Sequence, residues 1–572
     1  MISAPKIQSA LYISLLLLAL TLPFETSATW LNLGPLHLTQ LEIPLLLTLG
    51  LAILYTSQQP RPTLNPLLTT LGLSFIATLL ITALLAPQHT THALKASLRT
   101  LISFSLIPVL MPLLRHPTKR HTLLLTLTIS GTAAATLGLL EIFTGAPLPI
   151  LAYFRQQPTT VGGILRLTGP FEHANQTAMY LEALLPLTLY LLWQQKNRGV
   201  QLLLLIATLI QIQAILLTYS RASLLTILTI TILLAWTQKQ HWHQLKRYQL
   251  AAIITLPLLF LITNLAFNDT WRLRLFTEGD NEWYQANLQV PDEIMMPANS
   301  TQPITITITN HGHLLWQSTG PNPFNLGARY APATSNDWLR ELRWPLPTLI
   351  KPGETVLMTI PFTAPAQPGQ YQLNWDLVHE QIAWFQDKNG QIHTSILTVT
   401  MPPTSPLTNT TTITTSISTT TDTTPTAAAV IPDRRTLWRV AWQQWQERPL
   451  LGIGLDNFRL TYGHYLGYDQ WDNTIHTNNT YIEILVSHGL LGFIPFTIWL
   501  SHYLYTLYHQ WRRPRHPLLI PLGASILAFW GHGLLDYFLL FNPTAILLAI
   551  LLSLWYTLLY LPIEDNQHQS IL

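Results

Sequence analysis

A series of long apolar runs constrains the fold of this chain more than any other feature of its sequence. Twelve runs approach or reach bilayer-crossing length, about 17 to 25 residues, and they lie at 7–24, 38–56, 67–86, 97–114, 122–144, 177–193, 200–218, 223–236 (a short one), 250–267, 484–508, 518–540 and 543–561. Lipid offers no hydrogen bonds, so each run must satisfy its own backbone groups, as a helix does. The sequence predicts an all-α polytopic membrane protein with about twelve transmembrane helices.

The composition is that of a membrane protein, and it excludes several kinds of chemistry. Only 10% of the residues are charged, against about a quarter in soluble domains. The chain has no cysteine, which excludes disulfides, thiolate catalysis and cysteine metal sites. The net charge of +3 is dispersed without a basic block, so nucleic acid is not an expected partner.

The distribution of lysine and arginine predicts the orientation in the membrane. With the N-terminus inside, most loop cations fall on one side, including those at 115–120, 196–198, 239–247 and 512–515. The positive-inside rule then places both termini in the cytoplasm and residues 268–483 outside. We expect a multi-pass protein of the inner (cytoplasmic) membrane, with 7–24 retained as the first span.

A stretch of different character interrupts the apolar pattern. Between 282 and 402, apolar and polar residues alternate in short segments such as Thr305–Thr309 and Thr355–Ile360, which is typical of strands in a β-sandwich. Residues 403–430 are rich in threonine, serine and proline and predict a disordered linker. We therefore predict five parts: membrane spans in 1–281, an inserted extracytoplasmic sandwich in 282–402, the linker in 403–430, an outer loop in 431–483 and the last spans in 484–572.

Polar residues crowd the boundary between that outer loop and the next apolar run. His476, Asn478, Asn479, Tyr481 and Glu483 fall within eight residues. If the segment is helical, His476, Asn479 and Glu483 share one face. Asp456, Asp472 and Glu483 are candidate carboxylates to orient the histidine. These residue types suit proton transfer next to an anionic leaving group.

Four further motifs carry polar residues near membrane boundaries. They are Gly169–Ala178, where Asn175 could cap the following helix; Ser220-Arg221-Ala222; the run Arg434-Arg435-Thr-Leu-Trp438-Arg439; and Arg448-Pro-Leu-Leu-Gly-Ile-Gly-Leu-Asp-Asn-Phe458. Late in the chain, His532 and Asp536 stand one turn apart, and a structural pair between them is expected. In the inserted stretch, Asn-His-Gly-x-x-x-Trp and Lys351-Pro-Gly-Glu resemble an immunoglobulin-like four-tryptophan module.

Taken in order, the polar motifs outside the insertion resemble those of the O-antigen ligase and polymerase superfamily of bacterial envelope enzymes. Asn478 stands where many members have a second histidine. The resemblance implies a membrane glycosyltransferase with a C-type helical fold that moves a glycan from undecaprenyl pyrophosphate to a glycan, lipid or protein hydroxyl. No Asp-x-Asp element or histidine cluster in the sequence points to a metal, so we expect transfer without a metal or other cofactor. The resemblance also implies catalytic roles for His476, Arg221 and Asn479. The residues expected to bind substrate are Arg434, Arg435, Arg439, Asn478, Tyr481, Asn175 and Arg166.

Other functions remain open at this point. A protein O-oligosaccharyltransferase would use the same donor with a serine or threonine acceptor. A polysaccharide transporter or flippase would also have about twelve spans, but charged residues at mid-bilayer and internal repeats would be expected. A glycan receptor would leave Arg221 and His476 dispensable.

Overall fold

The structure is a computed structural model, and it divides into two compact units. One unit comprises Met1–Thr159, Leu165–Asp269 and Ile431–Leu572, and the other comprises Thr160–Ile164 and Thr270–Val430. The residues that it describes are 4–26, 28–33, 36–59, 66–238, 255, 258–259, 262–264, 266–277, 280–319, 322–333, 340–347, 349–380, 382–388, 390–401, 432, 434–467 and 471–560.

Helices dominate the first unit. In chain order, with one short helix at the boundary between the units, the described helices are α1 Ala4–Thr21, α2 Glu42–Ser57, α3 Pro66–Leu84, α4 Thr90–Leu110, α5 Pro117–Thr144, α6 Ala174–Gln194, α7 Arg198–Leu217, α8 Arg221–Gln238, α9 Asp269–Phe276, α10 Arg434–Glu447, α11 Phe458–Tyr465, α12 Thr480–Arg512, α13 Leu519–His532 and α14 Asn542–Tyr560. A small hairpin, β1 Thr29–Leu33 with β2 Leu36–Thr39, precedes α2.

The apolar runs of the sequence coincide with these helices. Within the described residues, seven helices are long and apolar enough to cross a membrane, and α2 and α13 are shorter apolar helices. The run at 250–267 lies largely outside the described residues. The chain is thus an integral, polytopic membrane protein, and the total of twelve spans stays a prediction.

Two predicted spans differ from the structure. The run at 518–540 is helical only to His532, because the carbonyls of Gly533 and Leu534 accept from the Thr480 backbone N–H and from Nδ2 of Asn479 instead of continuing the helix. The run at 484–508 crosses a break in α12 at Gly489, where φ is 56° and ψ is −160°.

Hydroxyl and amide side chains join the helices inside the membrane unit. Oγ of Ser14 on α1 lies 2.8 Å from Oγ1 of Thr48 on α2. Gln211 on α7 accepts from Thr188 on α6 and donates to Thr132 on α5. Interhelical hydrogen bonds of this kind contribute to packing where the hydrophobic effect between helices is absent.

The second unit contains the predicted β-sandwich. Its strands are β5 Ala286–Gln289, β6 Glu293–Pro297, β7 Thr301–Asn310, β8 Phe324–Pro332, β9 Arg340–Pro345, β10 Thr355–Thr363, β11 Gly369–His379, β12 Ala383–Trp384 and β13 His393–Thr400. They form a three-stranded sheet in the order β10-β7-β5 and a second sheet in the order β6-β13-β11-β8-β9, with β12 on β11. Two further strands, β3 Thr160–Val161 and β4 Ile164–Leu165, form a short hairpin between α5 and α6.

Apolar and polar side chains alternate along the strands, and the apolar ones fill one core between the two sheets. On β7, Ile304, Ile306 and Ile308 are buried, while the outward Thr305 and Thr309 hydrogen-bond to threonines of β10. Trp283, Trp316 and Trp375 are fully buried in the same core. The period of two predicted from the sequence is therefore the period of side-chain burial. The linker at 403–430 lies outside the described residues.

Candidate active site

The His476 loop is not helical. Residues 473–479 form an irregular segment, and α12 begins at Thr480 with Asn479 as its N-cap. The Asn479 carboxamide oxygen accepts from the backbone N–H groups of Tyr481 and Ile482 at 2.9 and 3.0 Å. Asn478 adopts a left-handed φ of 51°, a conformation that asparagine tolerates better than most residues. The prediction that His476, Asn479 and Glu483 share a helical face is therefore wrong, because a capping asparagine separates the histidine from the helix.

The fold nevertheless brings His476 between two carboxylates. Its Nδ1 lies 3.7 Å from Oε1 of Glu483, and its Nε2 lies 3.8 Å from Oδ1 of Asp456. The His476 side chain is only 12% exposed and Glu483 is fully buried. Oε2 of Glu483 accepts from the backbone N–H of Thr477 at 3.0 Å, which fixes the carboxylate against the loop. An acidic side chain thus lies opposite each ring nitrogen of His476.

Asp456 belongs to a tight charged cluster. Its carboxylate lies 2.5 Å from Nε2 of His92 and accepts from Nε and Nη2 of Arg459 at 2.6 and 2.9 Å. Burial opposes ionisation, but the hydrogen bonds from His92 and Arg459 and the neighbouring positive charges outweigh it and lower the pKa of Asp456 to about 2. Asp456 is thus an anion at any physiological pH. Asp472 instead accepts from the backbone and hydroxyl of Thr474.

The turn before Asp456 fills the break in α12. In a continuous helix, the N–H groups of Leu490 and Leu491 would bond to the carbonyls of Val486 and Ser487. Here those carbonyls accept from Ile453 and Gly454 at 2.9 Å, and the two N–H groups donate to Pro449 and Leu450 at 2.8 and 3.0 Å. The backbone groups that the break frees are therefore satisfied, as they must be near lipid, and Asp456 is held at a fixed place beside His476.

The segment after α13 forms another wall of the site. The Tyr537 ring centroid lies 5.3 Å from that of His476, and Tyr537 is buried. The hydroxyl of Thr480 donates to the Asp536 carbonyl at 2.9 Å. The hydroxyl of Tyr481 donates to the Trp530 carbonyl at 2.9 Å, so this tyrosine also joins α12 to α13.

Asn175 joins the same region from the other half of the chain. It lies inside the first turn of α6, whose N-cap is His173, so its expected role as a cap is wrong. Its carboxamide oxygen accepts from Nη2 of Arg166 at 2.6 Å, and its nitrogen donates to the Asp536 carboxylate at 2.6 Å. The expected pairing of His532 with Asp536 is also wrong, because Nδ1 of His532 lies 3.1 Å from the buried carboxylate of Glu182.

Arg166 and Arg221 come from neighbouring turns. Nε of Arg166 donates to the Thr218 carbonyl at 2.8 Å, and Arg221 begins α8 three residues later. Leu167 also donates its backbone N–H to Leu217 at 2.9 Å. The segment that ends the β3–β4 hairpin therefore lies beside the turn that precedes Arg221.

The arginines at 434, 435 and 439 lie on α10. Arg435 and Arg439 are exposed and Arg434 is half-buried, while Leu437, Val440 and Ala441 pack into a small core with Phe458 and Tyr462. The Trp438 indole donates to the Thr477 carbonyl at 2.9 Å, which places α10 against the His476 loop.

Two members of the site, His92 and Arg459, are not among the residues predicted from the sequence. His92 lies in α4 and is separated from Asp456 by 364 positions, so no local pattern links them. Arg459 follows Asp456 by three residues on α11, a spacing that could have suggested the pair. No group of three or more histidine, aspartate or glutamate side chains within the described ranges has the arrangement of a metal site.

The fold and this site define a polytopic membrane protein whose charged groups gather at helix ends. The O-antigen ligase family model matches residues 396–497, which include α10, α11, the His476 loop and the start of α12. Over this segment, the chain is similar to the O-antigen ligases.

No curated protein matches the chain. A crystal structure of a CARDB domain from Pyrococcus furiosus, in complex with di-metal ions, is similar with 15% identity and a TM-score of 0.15, over 21% of this chain and 93% of that domain. A solution structure of the same domain is similar with 17% identity and a TM-score of 0.15, over 21% of this chain and 94% of the domain.

Proposed function

We propose that the chain is a membrane glycosyltransferase that moves a glycan from an undecaprenyl-pyrophosphate donor to a hydroxyl acceptor on the outer face of the cytoplasmic membrane. One observation carries the proposal: within the segment that matches the O-antigen ligase family, His476 is held between the carboxylates of Asp456 and Glu483. A histidine in this setting suits general-base catalysis, because an acidic side chain opposite one ring nitrogen can orient the ring and leave the other nitrogen to take a proton.

In the proposed reaction, the two ring nitrogens of His476 have different roles. Nδ1 of His476 is buried against Glu483, which leaves Nε2 to take the proton of the acceptor hydroxyl. The acceptor oxygen bonds to the first sugar carbon of the donor as the bond from that carbon to the pyrophosphate oxygen breaks. The leaving group departs as undecaprenyl pyrophosphate, and His476 later releases its proton to water.

Arginines are the groups that we propose to stabilise the leaving pyrophosphate. Guanidinium groups bind phosphate oxygens in a bidentate fork. Arg221 and Arg166 come from adjacent turns. The helix α10, which contacts Thr477 of the His476 loop, carries three more arginines: Arg434, Arg435 and Arg439. With these cations, charge stabilisation needs no metal ion, and we propose metal-independent transfer.

An apolar cavity suits the polyprenyl part of the donor. Its volume is about 420 Å³, and α3, α4, α12 and the segment after α13 contribute to its lining. Tyr537 lines the cavity and also packs against His476. A lipid tail in this cavity would therefore place its pyrophosphate end near the base. The positive-inside rule supports a site on the outer face, with both termini in the cytoplasm.

Transfer by the purified protein in proteoliposomes tests the proposal. With an undecaprenyl-pyrophosphate-linked glycan and a glycan acceptor, we expect donor consumption matched by product, unchanged by EDTA. The same glycan on undecaprenyl monophosphate should be a poor donor, because it lacks the second phosphate that the arginines stabilise. Movement of intact donor across the bilayer without transfer would contradict the proposal and favour a transporter.

A further inference from the structure

The sandwich unit includes a piece of a loop that belongs, in sequence, to the membrane unit. The loop between α5 and α6 contributes Thr160–Ile164 to the sandwich unit as the tip of the β3–β4 hairpin. Val161 is 4% exposed and is part of the sandwich core. The backbone N–H of Gly162 donates to Oδ2 of Asp280 at 3.1 Å, and Nζ of Lys388 lies 3.1 Å from the other oxygen of that carboxylate.

Two glycines allow the hairpin tip to pack into the sandwich. Gly162 and Gly163 have φ of 55° and 78°, which disfavours any residue with a Cβ. A Cβ on Gly162 would lie 2.3 Å from the Trp283 ring, and one on Gly163 would lie 2.5 Å from the His379 ring. Because Trp283 and His379 are buried in the sandwich, neither ring can easily make room. Only glycine fits at these two positions of the hairpin tip.

The base of the same hairpin leads to the active site. The backbone N–H of Arg166 donates to the Thr159 carbonyl at 2.9 Å, which closes the hairpin. Arg166 is 8% exposed and bonds to Asn175, which in turn bonds to the Asp536 side chain. The Asp536 carbonyl accepts from Thr480, the residue after the helix cap Asn479. A continuous series of contacts thus leads from the hairpin to the His476 loop.

We propose that the inserted sandwich is a positioning element for the active site, acting through the seated hairpin tip on Arg166. Without the sandwich, nothing would hold the tip at Thr160–Ile164, and the hairpin that leads to Arg166 would lose more conformational entropy each time Arg166 met the donor. Packing of the tip in a folded domain removes this conformational freedom of the loop before the donor binds, as preorganisation of a substrate-binding group requires. Gly162 and Gly163 are positioning residues, and the activity readout of this inference rests on the proposed transferase function.

Replacing Gly162 with alanine tests whether packing of the hairpin tip in the sandwich matters for transfer. We expect Gly162→Ala to lower the turnover number on the order of tenfold or more, with the protein still folded and membrane-inserted. Gly145→Ala is the matched control: Gly145 begins the same loop with φ of 65° but has no atom within 4 Å of its Cβ position, so it carries the backbone strain without the clash. Equal turnover in the two variants would overturn the inference.

A double-mutant cycle separates positioning from a general loss of stability. If Gly162 acts through Arg166, Gly162→Ala should have no further effect on turnover in an Arg166→Ala background. Losses that multiply, or an Arg166→Ala variant as active as the wild type, would contradict the inference.

A readout independent of catalysis distinguishes this inference from the proposed function. The chain has no cysteine, so Glu172→Cys, at an exposed position between Arg166 and Asn175, takes a single nitroxide label. Gly162→Ala should raise the mobility of the label, whereas Gly145→Ala should leave it unchanged. If the label responds but the protein has no transferase activity, the positioning role is supported and the proposed function is contradicted. A label that does not respond would overturn the positioning role.

Discussion

Nδ1 of His476 and Oε1 of Glu483 face each other at 3.7 Å, and neither atom has a hydrogen-bond partner in the part of the chain that the structure describes. A small approach of the ring would make a carboxylate–histidine hydrogen bond. That bond would fix the tautomer with hydrogen on Nδ1 and leave Nε2 free to accept a proton. Glu483 is therefore the residue that orients the base in our account.

Glu483→Gln tests this orienting role. The amide keeps the volume of the side chain but has an amide nitrogen in place of one carboxylate oxygen, so it cannot orient His476 in the same way, and we expect turnover to fall by at least about tenfold. Glu447→Gln is the control, since Glu447 is an exposed residue at the end of α10. Transfer rates are measured with the reconstituted protein at saturating donor, and wild-type turnover in Glu483→Gln would show that the carboxylate is not needed.

Asp456 makes stability depend on pH in a defined window. Its pKa is about 2 in the folded chain, below the ordinary 3.8, so the unfolded chain binds more protons between these values. The stabilisation is complete above about pH 4 and is lost as the pH falls towards 2, and it amounts to about 2 kcal/mol. Thermal unfolding of wild type and Asp456→Asn in detergent should therefore differ most at pH 5 and converge near pH 2. A difference that does not change with pH would contradict this assignment.

Gly489 is the residue whose replacement should disturb the site from a distance. Its φ and ψ of 56° and −160° are accessible essentially to glycine alone, and a Cβ would lie 2.4 Å from the Leu450 carbonyl carbon. Gly489→Ala should destabilise the protein by about 2 kcal/mol or more and lower transfer, because the turn that carries Asp456 loses its place.

Gly531→Ala is the control for that substitution. Gly531 is helical and its Cβ position has no atom within 4 Å, so alanine should be neutral or slightly stabilising. Thermal unfolding distinguishes the two variants, and equal melting temperatures would show that the break in α12 is not a fixed structural element.

How far the sequence alone could predict this structure differs between its parts. The apolar runs predict helices well because lipid leaves the backbone no other choice, and the alternation on β7 and β10 predicts the sandwich for a similar reason of burial. The helical face proposed for His476 failed because the spacing of polar residues does not show where a helix begins. Asn479, the cap, decided that point.

Contacts between distant parts of the chain were beyond local patterns. The bond from His92 to Asp456 joins an N-terminal helix to a late turn, and Asn175 meets Asp536 across 361 positions. The seating of Thr160–Ile164 in the sandwich unit depends on the positive φ of two glycines, which the sequence permits but does not require. Such contacts are set by tertiary packing, so only the structure shows them.

The central claim is that His476 is the base of a glycan transfer, and turnover of lipid-linked glycan tests it most directly. Membranes with matched amounts of wild type, His476→Ala, Arg221→Ala and Asn478→His would be compared for donor and product. We predict that donor accumulates and product is lost in the two alanine variants, while Asn478→His keeps activity, because histidine also tolerates the left-handed backbone of that position. Wild-type turnover in both alanine variants would contradict the account and make the polar cluster around His476 a structural feature.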